Sequence, residues 1–214
     1  MYRKYQCSQS MCLLCFRSLE KEGNFVSTIL LGDQLCTSCR EKMKSKPVRI
    51  KLDTTNIVSL FVYEKEVRNN ILRYKESKDI LLAKIFIHPY WVWRFRKYTI
   101  IPVPSTIQAN NKRGFRHMEE IVRRSGFKNI EACLKHCGEK EQALQHFSKR
   151  QNVSNYLMLE NESVIRGKRL LLIDDILTSG ETMKACVNLL KPYAKDIRCL
   201  VISSGKKWYK KTSS

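Results

Sequence analysis

The chain has 214 residues, enough for one medium domain and a small module with a real hydrophobic core. Hydrophobic residues make up 43% of it, which excludes a disordered chain, and 40 Lys and Arg against 20 Asp and Glu give a formal charge of +20. Such an excess favours a polyanionic partner, nucleic acid ahead of an acidic membrane surface, beside the plainer reading as a solubility excess. No uncharged apolar run approaches the ~20 residues that span a bilayer. The N-terminus carries no signal-peptide core, so a cytoplasmic protein is expected. Its nine cysteines are then thiols or metal ligands rather than disulfides.

Cys12-x-x-Cys15 and Cys36-x-x-Cys39 are two knuckle pairs separated by 20 residues. Each pair turns two thiolates toward one point, and the two together predict a closed tetrahedral Cys₄ zinc site, structural rather than catalytic. Phe25 to Leu31, ending at Gly32-Asp33, reads as strand and turn, so residues 1–46 are expected to form a zinc-ribbon module whose metal supplies most of its folding free energy. Cys7 is a spare thiol. Basic residues around Pro47 predict a linker over 47–54, followed by the main domain over 55–214.

Ile57 to Tyr63 predicts a strand, and Val67, Ile71, Leu72 and Tyr74 mark the apolar face of a helix whose other side carries Arg68, Arg73 and Lys75. Asp79 to Ile87 reads as another helix, stopped before Pro89. In Tyr90 to Tyr98 aromatics interleave with cations: bases could stack on Trp91 and Trp93 while Arg94, Arg96 and Lys97 meet phosphates, though large rings more often enter a core. Thr99 to Ser105 is a strand running into a proline-restricted loop, Pro102-Val103-Pro104. Asn111 to His117 reads as a mobile basic segment at the mouth of a site, with Arg113 as the leading phosphate contact, Lys112 and Arg116 behind it, and His117 a surface residue. Cys133 and Cys137 are expected one helical turn apart with an incomplete ligand set, hence no second metal site. Lys206, Lys207, Trp208, Lys210 and Lys211 form a basic aromatic tail that binds nucleic acid or frays.

The stretch from Arg169 to Met183 organises the chain. An apolar run, Leu170 to Ile173, predicts a strand buried on both faces, and it ends in Asp174-Asp175. Leu177, Thr178, Ser179, Gly180, Glu181 and Thr182 follow, then a helical pattern and the strand Ile197 to Ile202, giving a βαβ unit. Hydroxyls, a glycine and a helix start suit a phosphate, whereas the two carboxylates suit sugar hydroxyls or a hydrated divalent cation. Together they describe a phosphorylated sugar. Neither a P-loop lysine motif nor G-x-G-x-x-G is present, so nucleoside triphosphate and dinucleotide readings drop.

This stretch resembles the phosphoribosyl pyrophosphate (PRPP) signature of type I phosphoribosyltransferases. The resemblance implies that Asp174 and Asp175 hold the ribose hydroxyls, that residues 177–182 wrap the 5′-phosphate, and that Mg²⁺ bridges the ribose hydroxyls and pyrophosphate. It also sets the Pro102-Val103-Pro104 loop at the place of the pyrophosphate-binding loop, with Arg113 beside it. The C-x-x-C pairs, the Val-Pro strand end, Arg113-Gly114-Phe115, Gln142-Ala143-Leu144, Arg150-Gln151-Asn152-Val153 and the Asp174 to Gly180 motif, in this order, resemble the ComF family of competence proteins. Arg116-His117 stand where that family commonly has Asn-Gln. The resemblance implies handling of incoming single-stranded DNA in natural transformation, with other competence proteins, including a helicase, as partners.

The expected architecture is α/β: a type I phosphoribosyltransferase-like parallel sheet flanked by helices, with a small N-terminal zinc module. Two functions stay open at this point, a DNA-handling protein with a phosphoribosyl site and a Mg²⁺-dependent transferase acting on an unidentified acceptor. A ligand-responsive zinc-ribbon regulator is a weaker third, since no groove-reading element is visible.

Overall fold

The computed structural model describes residues 11–19, 34–136 and 157–210. The expected strand at Phe25 to Leu31, Cys7, Cys137, the Gln142 and Arg150 motifs and Lys211 lie outside the described residues.

Leu170 to Ile173 is buried on both sides, as its unbroken hydrophobicity requires: Leu171 and Ile173 enter one core, Leu170 and Leu172 the other. It belongs to β6 (Arg169–Leu177), an inner strand of a five-stranded sheet. The sheet runs in the order β1 (Ser45–Leu52), β2 (Thr55–Val62), β7 (Asp196–Ser204), β6, β3 (Thr99–Pro102). β1 is antiparallel to β2, and the other neighbours are all parallel. The carboxyl ends of four strands therefore share one edge, where open α/β sheets bind ligands.

One face is covered by α2 (Lys65–Glu76), a 3₁₀ segment (Ile80–Ile85), α3 (Pro89–Arg94) and α5 (His117–Arg124). Val67, Ile71 and Tyr74 point inward from α2, and Met118, Ile121 and Val122 from α5. At about 1.5–3 kcal/mol for each large side chain removed from water, these rows dominate the stability of that layer. The other face is covered by α6 (Glu181–Leu190), by the two-stranded sheet of β4 (Leu134–His136) and β5 (Leu157–Leu159), and by Trp208 of α7 (Lys206–Lys210). A further helix, α4 (Ile107–Arg113), joins β3 to α5 and ends at Gly114 in the left-handed region.

Several sequence expectations change here. Residues 47–54, expected as a linker, contain most of β1 and the turn into β2. Val48, Ile50 and Leu52 alternate with exposed Arg49 and Lys51, a period-two pattern hidden by its cations, and Pro47 is tolerated at the register shift of an edge strand. The helix expected over Asp79 to Ile87 is the shorter 3₁₀ segment, entered through Lys78 at positive φ. Cys133 precedes a strand, not a helical turn. The expected mobile segment Asn111 to His117 is the end of α4, the Gly114 turn and the start of α5.

The cysteine module is packed onto the main domain. Cys12, Leu19, Leu35, Cys36, Cys39 and Met43 belong to the same core as α2 and α5, and Arg40 of α1 (Thr37–Lys42) donates to the Ile85 carbonyl at 2.9 Å. Among the described residues no helix is long and apolar enough to cross a membrane.

Candidate functional site

Cys12, Cys15, Cys36 and Cys39 bring their sulfurs within 4.8 Å of one another, and Cys15 Sγ lies 3.7 Å from Cys36 Sγ. A tetrahedron with Zn–S bonds of about 2.3 Å has edges of about 3.8 Å, so the four thiols fit zinc as they stand. The knuckle is closed by backbone: Phe16 N donates to Cys12 O, and Arg40 N to Cys36 O, each at 2.9 Å. Burial raises the Cys36 and Cys39 thiols, while at Cys12 backbone hydrogen bonds overcome burial and lower the thiol to about 7. Four crowded thiols cannot all ionise without a cation among them.

The second constellation lies at the shared carboxyl edge. Asp174 and Asp175 are adjacent on β6 and so project to opposite faces of the sheet. Asp175 is buried, forms an ion pair with Lys75 of α2, and lies 3.0 Å through Oδ2 from His117 Nε2. Burial alone would raise its carboxyl, but the His117 hydrogen bond and the Lys75 charge hold it below the usual carboxylate range. Among the described residues Asp174 forms no ion pair, and the Lys75 charge lowers its carboxyl less than burial raises it. Burial, with Asp175 beside it, pushes its carboxyl up to about 7, against a hydrogen bond that its Oδ1 accepts from Asp175 N at 2.8 Å. Strand alternation thus gives the two carboxylates different surroundings, with Asp175 engaged by Lys75 and His117.

After β6 the chain turns through Thr178, Ser179 and Gly180 into α6. Thr178, Ser179, Glu181 and Thr182 are exposed around a buried Gly180, and Leu177 is in the core below. Gly180 has φ of 92°, and a β-carbon there would overlap the Leu52 side chain, so two independent constraints demand glycine. Leu52 and Asp53 come from the tip of the β1–β2 hairpin, where Asp53 pairs with Lys184 of α6 at 2.9 Å. From the other side Trp208 donates its indole N–H to the Thr178 carbonyl at 3.3 Å. The loop is thus held open and braced from both flanks.

Around the next strand end, Pro102 and Val103 are buried and Pro104 is half-buried. Arg113 does not reach outward: its Nη1 lies 3.3 Å from Ser105 Oγ and 3.1 Å from His117 Nδ1. His117, expected on the surface, is 6% exposed, and Tyr74 Oη donates to its carbonyl at 2.6 Å. Lys75, His117, Ser105 and Leu52 were missed as site residues because their signal is spatial.

The residues expected to meet nucleic acid divide. Trp93 is 61% exposed, with the Arg96 guanidinium over its ring at 4.9 Å, and Arg94 and Lys97 are exposed nearby. Trp91 stacks on Phe95 and is half-buried. Lys112 pairs with Glu76, Arg116 with Glu119 and Lys206 with Glu64, all on the surface. Lys207 lies over the Trp208 ring, and Trp208 itself is buried. That burial corrects its reading as a stacking residue; it supports the loop at Thr178 instead.

Residues 139–213 match the phosphoribosyl transferase domain family. Curated protein sequences yield no match. Among solved structures, the chain is similar to a hypoxanthine phosphoribosyltransferase from Staphylococcus aureus in its tetragonal form, with 14% identity, a TM-score of 0.38 and coverage of 61% of this chain and 66% of that one. The orthorhombic form of that enzyme gives 15% identity, a TM-score of 0.35 and coverage of 66% of each chain. The allosteric regulatory enzyme of purine biosynthesis gives 20% identity and a TM-score of 0.33 over 50% of this chain, which spans only 22% of that protein. The matched stretch takes in β6, its loop, α6 and β7, and over this part the chain is similar to phosphoribosyl transferase domains.

Proposed function

We propose that the chain binds PRPP, or a related phosphoribosyl compound, with Mg²⁺ at the carboxyl end of β6. The observation that carries this reading is the loop after β6, where Gly180 at φ of 92° leads exposed hydroxyls into a helix start beside Asp174. In this reading residues 178–182 hold the 5′-phosphate and Asp174 takes the ribose hydroxyls. Asp175 acts through its pairs with Lys75 and His117, fixing the strand end and neighbouring loops. Magnesium, when bound with the ligand, neutralises pyrophosphate charge. The Pro102-Val103-Pro104 loop and Arg113 form the pyrophosphate side.

For the larger role, the resemblance to ComF competence proteins and the exposed Trp93, Arg94, Arg96 and Lys97 group support handling of single-stranded DNA beside this site. The alternative is a transferase, in which a nitrogen acceptor displaces pyrophosphate at the sugar C1. Thermal melting with and without PRPP and Mg²⁺ tests the common element, because a ligand bound only by the folded state raises its stability. Stabilisation of the wild type that is lost in Asp174→Asn supports the site, and equal stabilisation of both refutes it. Pyrophosphate release dependent on one acceptor then selects the transferase.

A further inference from the structure

The amino-terminal ends of the strands, opposite the loop after β6, carry a groove of about 670 Å³ that the phosphoribosyl reading does not use. That volume falls within the range of about 300–1,000 Å³ that clefts for small molecules occupy. One side is the start of β2 and β7, where Ile57 and Cys199 pair in register, and the other is α3 with the turn that follows it.

Two kinds of side chain meet there. A run of rings follows the α3 side: Trp91 stacks on Phe95 at an interplanar angle of 15°, and Phe95 meets Tyr98 edge-on at 88°. Tyr90, ahead of them, is 46% exposed, so its ring is open to a flat partner. Arg49, Arg94 and Arg198 supply charge from an edge strand, a helix and an inner strand. Arg198 Nε is on Asp196 at 3.2 Å, a carboxylate that also accepts from Tyr98 Oη at 3.3 Å. Among the described residues Arg49 and Arg94 have no ion-pair partner, and no carboxylate lines the groove. Guanidinium forks match phosphate oxygens and aromatic faces match a base, so the two kinds together select a nucleotide over a bare anion or a hydrocarbon. Asn56, at the same groove, offers a side-chain amide to a base edge.

We propose that this groove binds a free nucleoside polyphosphate, with its base against Tyr90 and Trp91 and its phosphates on Arg49, Arg94 and Arg198. The site lies at the opposite end of the strands from Asp174 and residues 178–182, so it neither competes with PRPP nor depends on it. Of the Trp93, Arg94, Arg96 and Lys97 group it uses only Arg94, and its volume suits one nucleotide rather than a continuing strand.

Isothermal titration of the full-length protein with ATP, with tripolyphosphate and with an oligothymidylate tests this. ATP should bind the wild type, and Arg49→Ala, an exposed change on an edge strand, should weaken it by about tenfold or more. Tyr90→Ala should weaken ATP by about fivefold or more while leaving tripolyphosphate unchanged. Stabilisation by PRPP and Mg²⁺ should be the same in both variants, which keeps a failure here distinct from a failure of the phosphoribosyl site. Equal ATP affinity in the wild type and Arg49→Ala overturns the proposal, and so does unchanged ATP affinity in Tyr90→Ala. If ATP does not bind while Arg49→Ala weakens the oligothymidylate, the groove holds a strand and the proposal is overturned.

Discussion

His117 Nε2 lies 3.0 Å from Asp175 Oδ2, across 58 positions of sequence, and Lys75 closes on the same carboxylate oxygen from a third element. Three ionisable groups thus share one buried point at the carboxyl edge of the sheet. Burial lowers the His117 imidazole from its ordinary range, against the opposing pull of Asp175. Asp175→Ala should be among the most damaging single changes, at about 3–5 kcal/mol, because it strands Lys75 without a partner. Lys75→Met with Asp175→Leu should recover much of that loss. Urea unfolding of the single and double variants measures the difference, and a double variant as unstable as the single would show that the charge is not the reason.

The pH dependence has two limbs of opposite sign that overlap below pH 6.5 and that the Asp174 variant separates. His117 is lowered from 6.5 by burial, so the unfolded chain takes up its proton first and stability is lost as pH falls below about 6.5. Asp174 is raised from 3.8 to about 7, so the folded state holds the extra proton and stability falls as pH rises between those values. Asp174→Asn removes the second limb only and should stabilise the ligand-free protein at pH 8 by about 1–2 kcal/mol, less than the full shift because the side chain is half-buried. Thermal melts across pH 5 to 8 should show the wild type losing stability as pH rises toward 7, a loss absent from the variant, and parallel profiles above that.

Gly180 is fixed by backbone and by neighbour. Gly180→Ala meets both a left-handed φ of 92° and the Leu52 side chain, and should destabilise by about 1–3 kcal/mol while weakening ligand stabilisation. Adding Leu52→Ala should relieve only the steric part. Melting curves with and without PRPP and Mg²⁺ separate the two contributions.

Much of this architecture was legible in local pattern. Leu170 to Ile173 announced a strand buried on both faces of a parallel sheet, and the cysteine spacing announced the four-sulfur cluster. What stayed hidden was long-range. Nothing near His117 marks it as buried, since Asp175 and Tyr74 reach it only through the sheet order. Likewise Val48, Ile50 and Leu52 alternate correctly for a strand, but Arg49, Lys51 and Pro47 gave the stretch the composition of a linker. Trp208 looked like part of a tail because its partner, the Thr178 carbonyl, is a backbone atom with no sequence signature.

One zinc per chain is expected, and its removal should unsettle more than the module. Cys12, Cys36, Cys39 and Met43 share a core with α2 and α5, so metal binding contributes to the layer that holds Lys75 and His117. Chelation, or Cys39→Ser, should lower the melting temperature of the whole chain in one transition and reduce PRPP stabilisation. A separate low-temperature transition that leaves the main melt unchanged would show the module to be energetically independent.

The two exposed-looking tryptophan clusters make opposite predictions for single-stranded DNA. Trp93 offers an open ring flanked by Arg94, Arg96 and Lys97, whereas Trp208 is 9% exposed and tied to Thr178. Stacking on an open aromatic contributes about 1–3 kcal/mol per base, so Trp93→Ala should weaken binding of an oligothymidylate roughly 5- to 150-fold. Arg94→Ala with Lys97→Ala should instead flatten the salt dependence, each lost phosphate contact reducing the log–log slope by about 0.7. Trp208→Phe removes an indole donor from the loop and should reduce PRPP stabilisation while leaving DNA affinity unchanged. Fluorescence anisotropy over a salt series, run beside the thermal melts, measures both arms. Equal DNA affinity in the wild type and Trp93→Ala would remove α3 from the nucleic-acid surface, and a loss of DNA affinity in Trp208→Phe would tie that surface to the phosphate loop instead.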